Sequence, residues 1–469
     1  MTRRLMRSEL ASWVDPAVVF HALAGDSDWS VWLDAGPHAR EGLSYIGIPA
    51  GRVLRASVER GEVDEFPTPD GSPQTHEAGI FEVLRDVLEH DAAIDTSAAR
   101  EDGFSLGWVG WAGYELAAQT SGIHTSASVT DDAVFVFLEW ALEFDHDAHT
   151  VSLLVLGSDD TDLEQRRVDV EARLRAAQVP AVQPAMPVQR DAVRWRHDAA
   201  TYRGLVQRCL DAITAGDAYQ LCLTNEVTVS GSFNPLEVYA RLRQANPSHH
   251  GGLLRFGQTA LLSSSPEVFL RADRDGHVET KPIKGTRPRG VDSTSDDALS
   301  SELIGSEKER AENLMIVDLM RNDLGRVAQL GTVHVDSLLE VESYSHVHQL
   351  VSTVSAEMAP GLTAIDALEA CFPAGSMTGA PKISAMTILH ELEQGPRGIY
   401  SGAFGYLGLD GSANLAMVIR SIVLTESGAS IGTGGGITSG SQPQAELEET
   451  WLKSAALLGA LGVDSTEYS

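Results

Sequence analysis

The chain has 469 residues, 43% of them hydrophobic, with 66 acidic against 35 basic side chains and a formal net charge of −31. That length exceeds what one small core serves, so either two lobes or one large composite domain is expected. The acidic balance argues against a nucleic-acid or anionic-membrane surface, because phosphate contacts need Lys and Arg clustered over a wide face.

From about residue 15 to 157 the pattern is one of short β-rich runs, such as 133–138 and 151–156, separated by turn residues. Glu164 to Ala177 reads as a charged helix, and 179–188, with Pro180, Pro184 and Pro187, reads as a linker. A boundary is therefore expected near residue 190, dividing the chain into 1–190 and 191–469. Beyond it Asp198 can N-cap a helix carrying Tyr202, Leu205, Cys209 and Ile213 on one face and stopped by Gly216. Residues 219–224 read as a strand, 260–270 as strand, turn and strand, and Val278 leads through another strand into a basic loop, 281–290. Lys281, Lys284, Arg287 and Arg289 make that loop a local reversal of charge, which calls for an anion or a buried partner. Residues 302–324 read as one long helix with Leu314, Val317 and Leu324 on its buried side. Residues 431–437 read as a glycine loop, followed by a helix over 444–458.

Several of these segments can carry chemistry. Successive backbone N–H groups in the glycine loop could cradle an anion, although glycine clusters are more often tight turns. Tyr400, Arg420 and Lys453 add a hydroxyl donor, a planar fork and a point charge. Glu309 with Glu312, and Glu446 with Glu449, lie three residues apart on helices, a spacing shared by solvated faces and by pairs that hold a hard divalent cation. Lys284, between Ile283 and Gly285, is either a nucleophilic amine in a partly apolar site or a charge contact to a substrate carboxylate. Glu267, after Pro266, is either a proton donor to a leaving hydroxyl or a surface turn residue. The three cysteines, Cys209, Cys222 and Cys371, match no zinc pattern and read as thiols of a reducing cytoplasm. The N-terminus leads into Ser8 and Glu9 rather than an apolar segment, and no run approaches the ~20 apolar residues of a membrane span, so a cytoplasmic protein is expected.

The segments 264–267 (SSPE), 282–289 (PIKGTRPR), 311–319 (AENLMIVDL), 321–324 (RNDL), 375–382 (GSMTGAPK) and 446–453, in this order and spacing over roughly 195–465, resemble the chorismate-utilising enzymes. The first 190 residues are similar in length and general pattern to the component I subunits of that family. The resemblance implies an α+β fold, a large composite β-sandwich with flanking helices like that of anthranilate synthase component I. It implies Mg2+ between the C1 carboxylate of chorismate and Glu312 and Glu449, with Glu309 and Glu446 close by. It places Gln220, Gly285, Thr286, Thr378, Tyr400, Arg420, Lys453 and the backbone of Gly434, Gly435 and Gly436 at the substrate, and Glu267 as the general acid for loss of the C4 hydroxyl.

Two positions separate branches of the family. Anthranilate synthases have alanine where this chain has Lys284, whereas the branch that makes 4-amino-4-deoxychorismate has a lysine that adds to C2 and is expelled when ammonia enters at C4. Isochorismate and salicylate synthases are similar here but carry a lysine base in place of Gln220, which implies ammonia rather than water as the incoming nucleophile. The resemblance departs at Gln349, where the family usually has a histidine at the substrate ring; His348 is one residue early and, on a strand, points to the other face. It departs again at 439–443, where relatives carry aspartates, and at Ala35, where tryptophan-binding relatives have serine. No cysteine sits in a Gly-x-Cys-x-Gly nucleophile turn, so ammonia is expected from a separate glutamine amidotransferase subunit. The alternatives are formation of anthranilate, 2-amino-2-deoxyisochorismate or isochorismate, or a catalytically silent chorismate-binding subunit.

Overall fold

The computed structural model describes residues 3–464 apart from 26, 176, 178–181, 190–191 and 345–346. The expected boundary near residue 190, and the first part of the expected linker, fall outside these residues. The described residues form two twelve-stranded antiparallel sheets. In spatial order the first runs Arg4–Glu9, Thr150–Gly157, Trp140–Asp145, Leu43–Gly47, Trp29–Asp34, His250–Phe256, Thr259–Ser265, Ser421–Thr425, Gly428–Ile437, Gln220–Ser230 and Val193–Trp195, with Gly379–Ala380 paired to the start of Gln220–Ser230. The second runs Ile283–Pro288, Val347–Glu357, His277–Thr280, Val268–Ala272, Ala413–Met417, Ala403–Gly408, Gly107–Ala112, Ala133–Leu138, Val53–Ser57, Glu62–Phe66 and Gln74–His76, with His334–Ser343 paired to Val347–Glu357.

Both sheets draw strands from each side of residue 190. Trp29–Asp34 pairs with His250–Phe256, and Gly107–Ala112 pairs with Ala403–Gly408. The two stretches of sequence are therefore welded into one α+β sandwich. Alternate residues of the first sheet face opposite cores, as the strand period of two requires. Val31, Leu254 and Leu261 join the core between the sheets, whereas Trp32, Leu253 and Leu262 face a second core. Helices Pro16–Ala24, Pro235–Ala245 and Pro443–Leu461 bury residues in that second core.

Three expectations are corrected. The basic loop is a strand, Ile283–Pro288, held against Val347–Glu357. The glycine loop lies inside the strand Gly428–Ile437, with Gly434, Gly435 and Gly436 opposite Thr224, Leu223 and Cys222. In an extended ladder successive N–H groups point to opposite edges, so they form no anion nest. The long helix over 302–324 is two helices, Ser293–Gly305 and Glu307–Gly325, because Ser306 breaks the chain and caps the second with its side chain. The buried stripe of that second helix runs through Asn313, Ile316, Val317, Met320 and Leu324, leaving Leu314 44% exposed. The helix Ala199–Ala215 does start at an Asp198 cap and stop at a left-handed Gly216, as expected.

Candidate active site

The residues of interest gather where Gly428–Ile437, Ile283–Pro288 and the helices Glu307–Gly325 and Pro443–Leu461 approach one another. Glycine is needed on the first of these because side chains lie flat against it. A Cβ at Gly432 would stand 2.0 Å from the Tyr400 ring, one at Gly436 2.5 Å from Gln220 Nε2, and one at Gly435 3.1 Å from Glu446 Oε2.

Of the four basic side chains in 281–290, three have acidic partners. Lys281 pairs with Glu342 at 2.8 Å, Arg287 with Glu302 at 2.9 Å and Arg289 with Asp296 at 2.7 Å. Lys284 is half-buried and has neither a hydrogen bond nor an ion pair among the described residues. Its charge acts on Glu267, Glu312 and Glu449, each of whose carboxyls it favours in the ionised form. Carboxylates thus ring Lys284 where a partly apolar setting was expected.

Glu267 is buried, and burial pushes its carboxyl up, against the opposing pull of Lys284, the Ser376 hydroxyl and the Ile283 N–H. Ser376 donates to Glu267 Oε1 at 3.0 Å. A carboxyl held this way keeps its proton at higher pH than an exposed one, as a general acid must.

The four glutamates do not share one arrangement. Lys308 Nζ stands 3.4 Å from Glu446 Oε1 and 3.9 Å from Glu312 Oε1, so an ammonium bridges the two helices. Lys453 pairs with Glu449 at 2.6 Å and donates to the Gly434 carbonyl at 2.8 Å. Glu309 turns to Gly285 and Arg287 instead, the latter at 3.8 Å. Burial raises the Glu312 carboxyl; burial also raises that of Glu449, but Lys453, Lys308 and Lys284 more than reverse it. No group of three or more His, Cys, Asp or Glu among the described residues forms a ready metal cage. The donors nevertheless fit Mg2+, which takes one or two carboxylates and fills its shell with water and substrate oxygens. Glu312 Oε1 is buried with no hydrogen-bond partner among the described residues, and a cation already sits against Glu446 and Glu312 in the form of Lys308.

Other polar groups at the site are also unpaired. Both amide atoms of Gln220 and Oε1 of Gln349 are buried without hydrogen-bond partners among the described residues. Arg420, with φ at 52°, is held by its carbonyl, which accepts from the N–H and hydroxyl of Ser264. Its guanidinium has no partner among the described residues and feels Tyr400 and Glu449. Buried orphans of this kind cost stability unless a ligand completes them. Gln349 lies opposite Thr286 in the ladder, and Thr286 itself is exposed. His348 does point to the other face, fixed by Ser343 at 2.7 Å and Asp296 at 2.9 Å. Thr378 is buried with its hydroxyl turned to the carbonyls of Ala374 and Gly375, while its own carbonyl accepts from the Cys222 N–H. Ala35 lines a separate cavity with Tyr45, His250, Tyr406 and Asn414.

Lys308 and Ser376 were not singled out from the sequence. Lys308 was legible in part, since it lies four residues before Glu312 on one helix face. Ser376 gave no such signal, because its partner is 109 residues away.

A family model described as chorismate binding enzyme matches residues 50–459. The chain belongs to that family, the chorismate-binding enzymes. It is 42% identical to the aminodeoxychorismate synthase of Streptomyces griseus over 98% of this chain and 64% of that protein. It is 41% identical to anthranilate synthase component 1 of Thermus thermophilus over 98% of each chain. Among solved structures, anthranilate synthase component I from Streptococcus pneumoniae matches with a TM-score of 0.77 and 28% identity, covering 96% of this chain and 99% of that one. The chain spans a little less than two thirds of the length of the aminodeoxychorismate synthases of S. griseus and S. pristinaespiralis, at 64% and 65%.

Proposed function

We propose that this chain aminates chorismate at C4, giving 4-amino-4-deoxychorismate, with ammonia supplied by a glutamine amidotransferase. The observation that carries the reading is Lys284, the one cation of the 281–290 segment left without a partner among the described residues, set beside the buried acid Glu267.

Chorismate is a dianion. Arg420 and Tyr400 are suited to bind one carboxylate by fork and hydroxyl, and the amide of Gln220 to orient the ring substituents. Mg2+ held by Glu312 and Glu449, with Glu446 and Glu309 near, would neutralise the C1 carboxylate and draw electrons toward it. Once a surrounding carboxylate has taken its proton, Lys284 attacks C2; the two ring double bonds shift, and the C4 hydroxyl leaves as water with the proton of Glu267. Ammonia then attacks C4, the double bonds shift back, and the bond from C2 to Lys284 breaks, returning the amine. The proton shed by the new amino group restores Glu267, so chorismate and ammonia become 4-amino-4-deoxychorismate and water. Gln220 cannot accept a proton from water, which disfavours hydroxylation at C2.

A second reading, amination at C2 toward anthranilate, is favoured by the match to the T. thermophilus protein along the whole of both chains. Incubation with chorismate, Mg2+ and ammonium decides between them. A product that an added aminodeoxychorismate lyase turns into 4-aminobenzoate supports the first reading, and anthranilate the second.

No helix among the described residues is long and apolar enough to cross a membrane. The three cysteines are buried and free, which supports a reducing cytoplasm as the compartment.

A further inference from the structure

Arg397 is buried at the base of the site, its side chain 1% exposed, and spends its donors on Glu393, two backbone carbonyls and, at 3.5 Å, the Ser401 hydroxyl. Nε and Nη2 form a fork on Glu393 at 2.9 and 2.7 Å; Nη2 also reaches the Cys222 carbonyl at 2.9 Å, and Nη1 the Met377 carbonyl at 2.6 Å. Glu393 Oε1 in turn accepts from the Thr224 N–H at 2.9 Å. The guanidinium lies 4.2 Å from the centroid of the Tyr114 ring, and the carboxylate of Glu115 accepts the backbone N–H groups of Arg397 and Gly398 at 2.8 and 2.9 Å.

These contacts tie together four segments far apart in sequence, 114–115, 222–224, 377 and 393–398, and the last three adjoin residues of the site. Cys222 and Thr224 flank Leu223 on the strand that begins with Gln220; Met377 precedes Thr378; and Arg397 itself directly precedes the turn 398–401 that holds Tyr400. A buried ion pair is a poor source of net stability, since desolvation offsets most of its attraction. What a planar five-donor group provides instead is fixed geometry. Lysine could keep the charge opposite Glu393 but could not hold two carbonyls on different segments at once.

We propose that Arg397, with Glu393, is a positioning residue that sets the relative placement of Gln220, Thr378 and Tyr400 at the substrate. The proposal rests on the reading that those three residues border the chorismate site, but not on which product is made.

The test compares Arg397→Lys and Glu393→Gln with Arg243→Lys, which alters another buried pair, Arg243 with Asp34. Hydrogen exchange of the substrate-free proteins is followed over 220–224, 376–379 and 400–402, and chorismate affinity is measured by calorimetry with Mg2+. The expected result is at least tenfold faster exchange in those segments and at least tenfold weaker chorismate binding for Arg397→Lys, with a cooperative melt retained. Glu393→Gln should shift both in the same direction and carries the test should Arg397→Lys fail to fold. Arg243→Lys should leave both readouts near the wild-type values. Wild-type exchange and affinity in Arg397→Lys, or equal losses in Arg243→Lys, would overturn the proposal. Exchange needs no substrate and the product is assayed separately, so a wrong product assignment is distinguishable from a failure here.

Discussion

Ser376 donates its hydroxyl to Oε1 of Glu267 across 3.0 Å, and this bond favours the ionised carboxylate that burial disfavours. Removing it should push the Glu267 carboxyl further up. In Ser376→Ala the alkaline limb of the pH profile for chorismate consumption should therefore move to higher pH. Glu267→Gln, which cannot donate an acidic proton, should lower kcat by about a hundredfold or more. A limb that moves to lower pH, or a fully active Glu267→Gln, would remove Glu267 as the acid.

Glu115 makes a stability prediction of definite sign. Burial is the leading cause that pushes its carboxyl up to about 8. A folded-state value above the unfolded one means that the contribution to stability is complete below about 4.5 and is lost as pH rises through about 8. Thermal stability should fall across that window, and Glu115→Gln should flatten the fall by an amount on the order of a few kcal/mol. Parallel profiles for the two proteins would contradict this.

Gln349 Oε1 is buried with no hydrogen-bond partner among the described residues. An unsatisfied acceptor costs about 1–3 kcal/mol, so Gln349→Met should melt at the same temperature as the wild type or higher. If that oxygen waits for a substrate donor, the same variant should raise the KM for chorismate, by about tenfold for one lost hydrogen bond of about 1.4 kcal/mol. A lower melting temperature with unchanged KM would mean that Gln349 serves the fold alone.

Lys308 occupies the approach to Glu446 and Glu312, at 3.4 and 3.9 Å. A divalent cation must compete with it. Added Mg2+ should therefore stabilise Lys308→Met more than the wild type, by at least about 1 kcal/mol at matched concentration. Equal thermal shifts would place the cation elsewhere.

Much of this site could be read from the chain, and the failures have physical causes. Lys284, Glu267, Glu312, Glu446 and Glu449 were named because short motifs carried them, and the structure brings Lys284 into electrostatic reach of Glu267, Glu312 and Glu449, and Lys308 into reach of Glu312, Glu446 and Glu449. The glycine loop over 431–437 was misread because glycine ordinarily signals a turn; what demands glycine at 432, 435 and 436 is the bulk of Tyr400, Glu446 and Gln220, supplied from far along the chain. The helix break at Ser306 was available, since Ser306 followed three residues later by Glu309 has the form of a capping box. Apolar periodicity across it masked the break. The pairing of Trp29–Asp34 with His250–Phe256 left no local trace, so the Pro-rich stretch suggested a division that the sheets do not respect.

The measurement that bears most directly on the account is the intact mass of the protein after incubation with chorismate and Mg2+ in the absence of ammonia. Covalent participation of Lys284 predicts an adduct equal to chorismate less one water, located at Lys284 by peptide mapping, discharged by ammonium and absent from Lys284→Ala. Turnover with ammonium in Lys284→Ala at the wild-type rate, with no adduct in either protein, would contradict it.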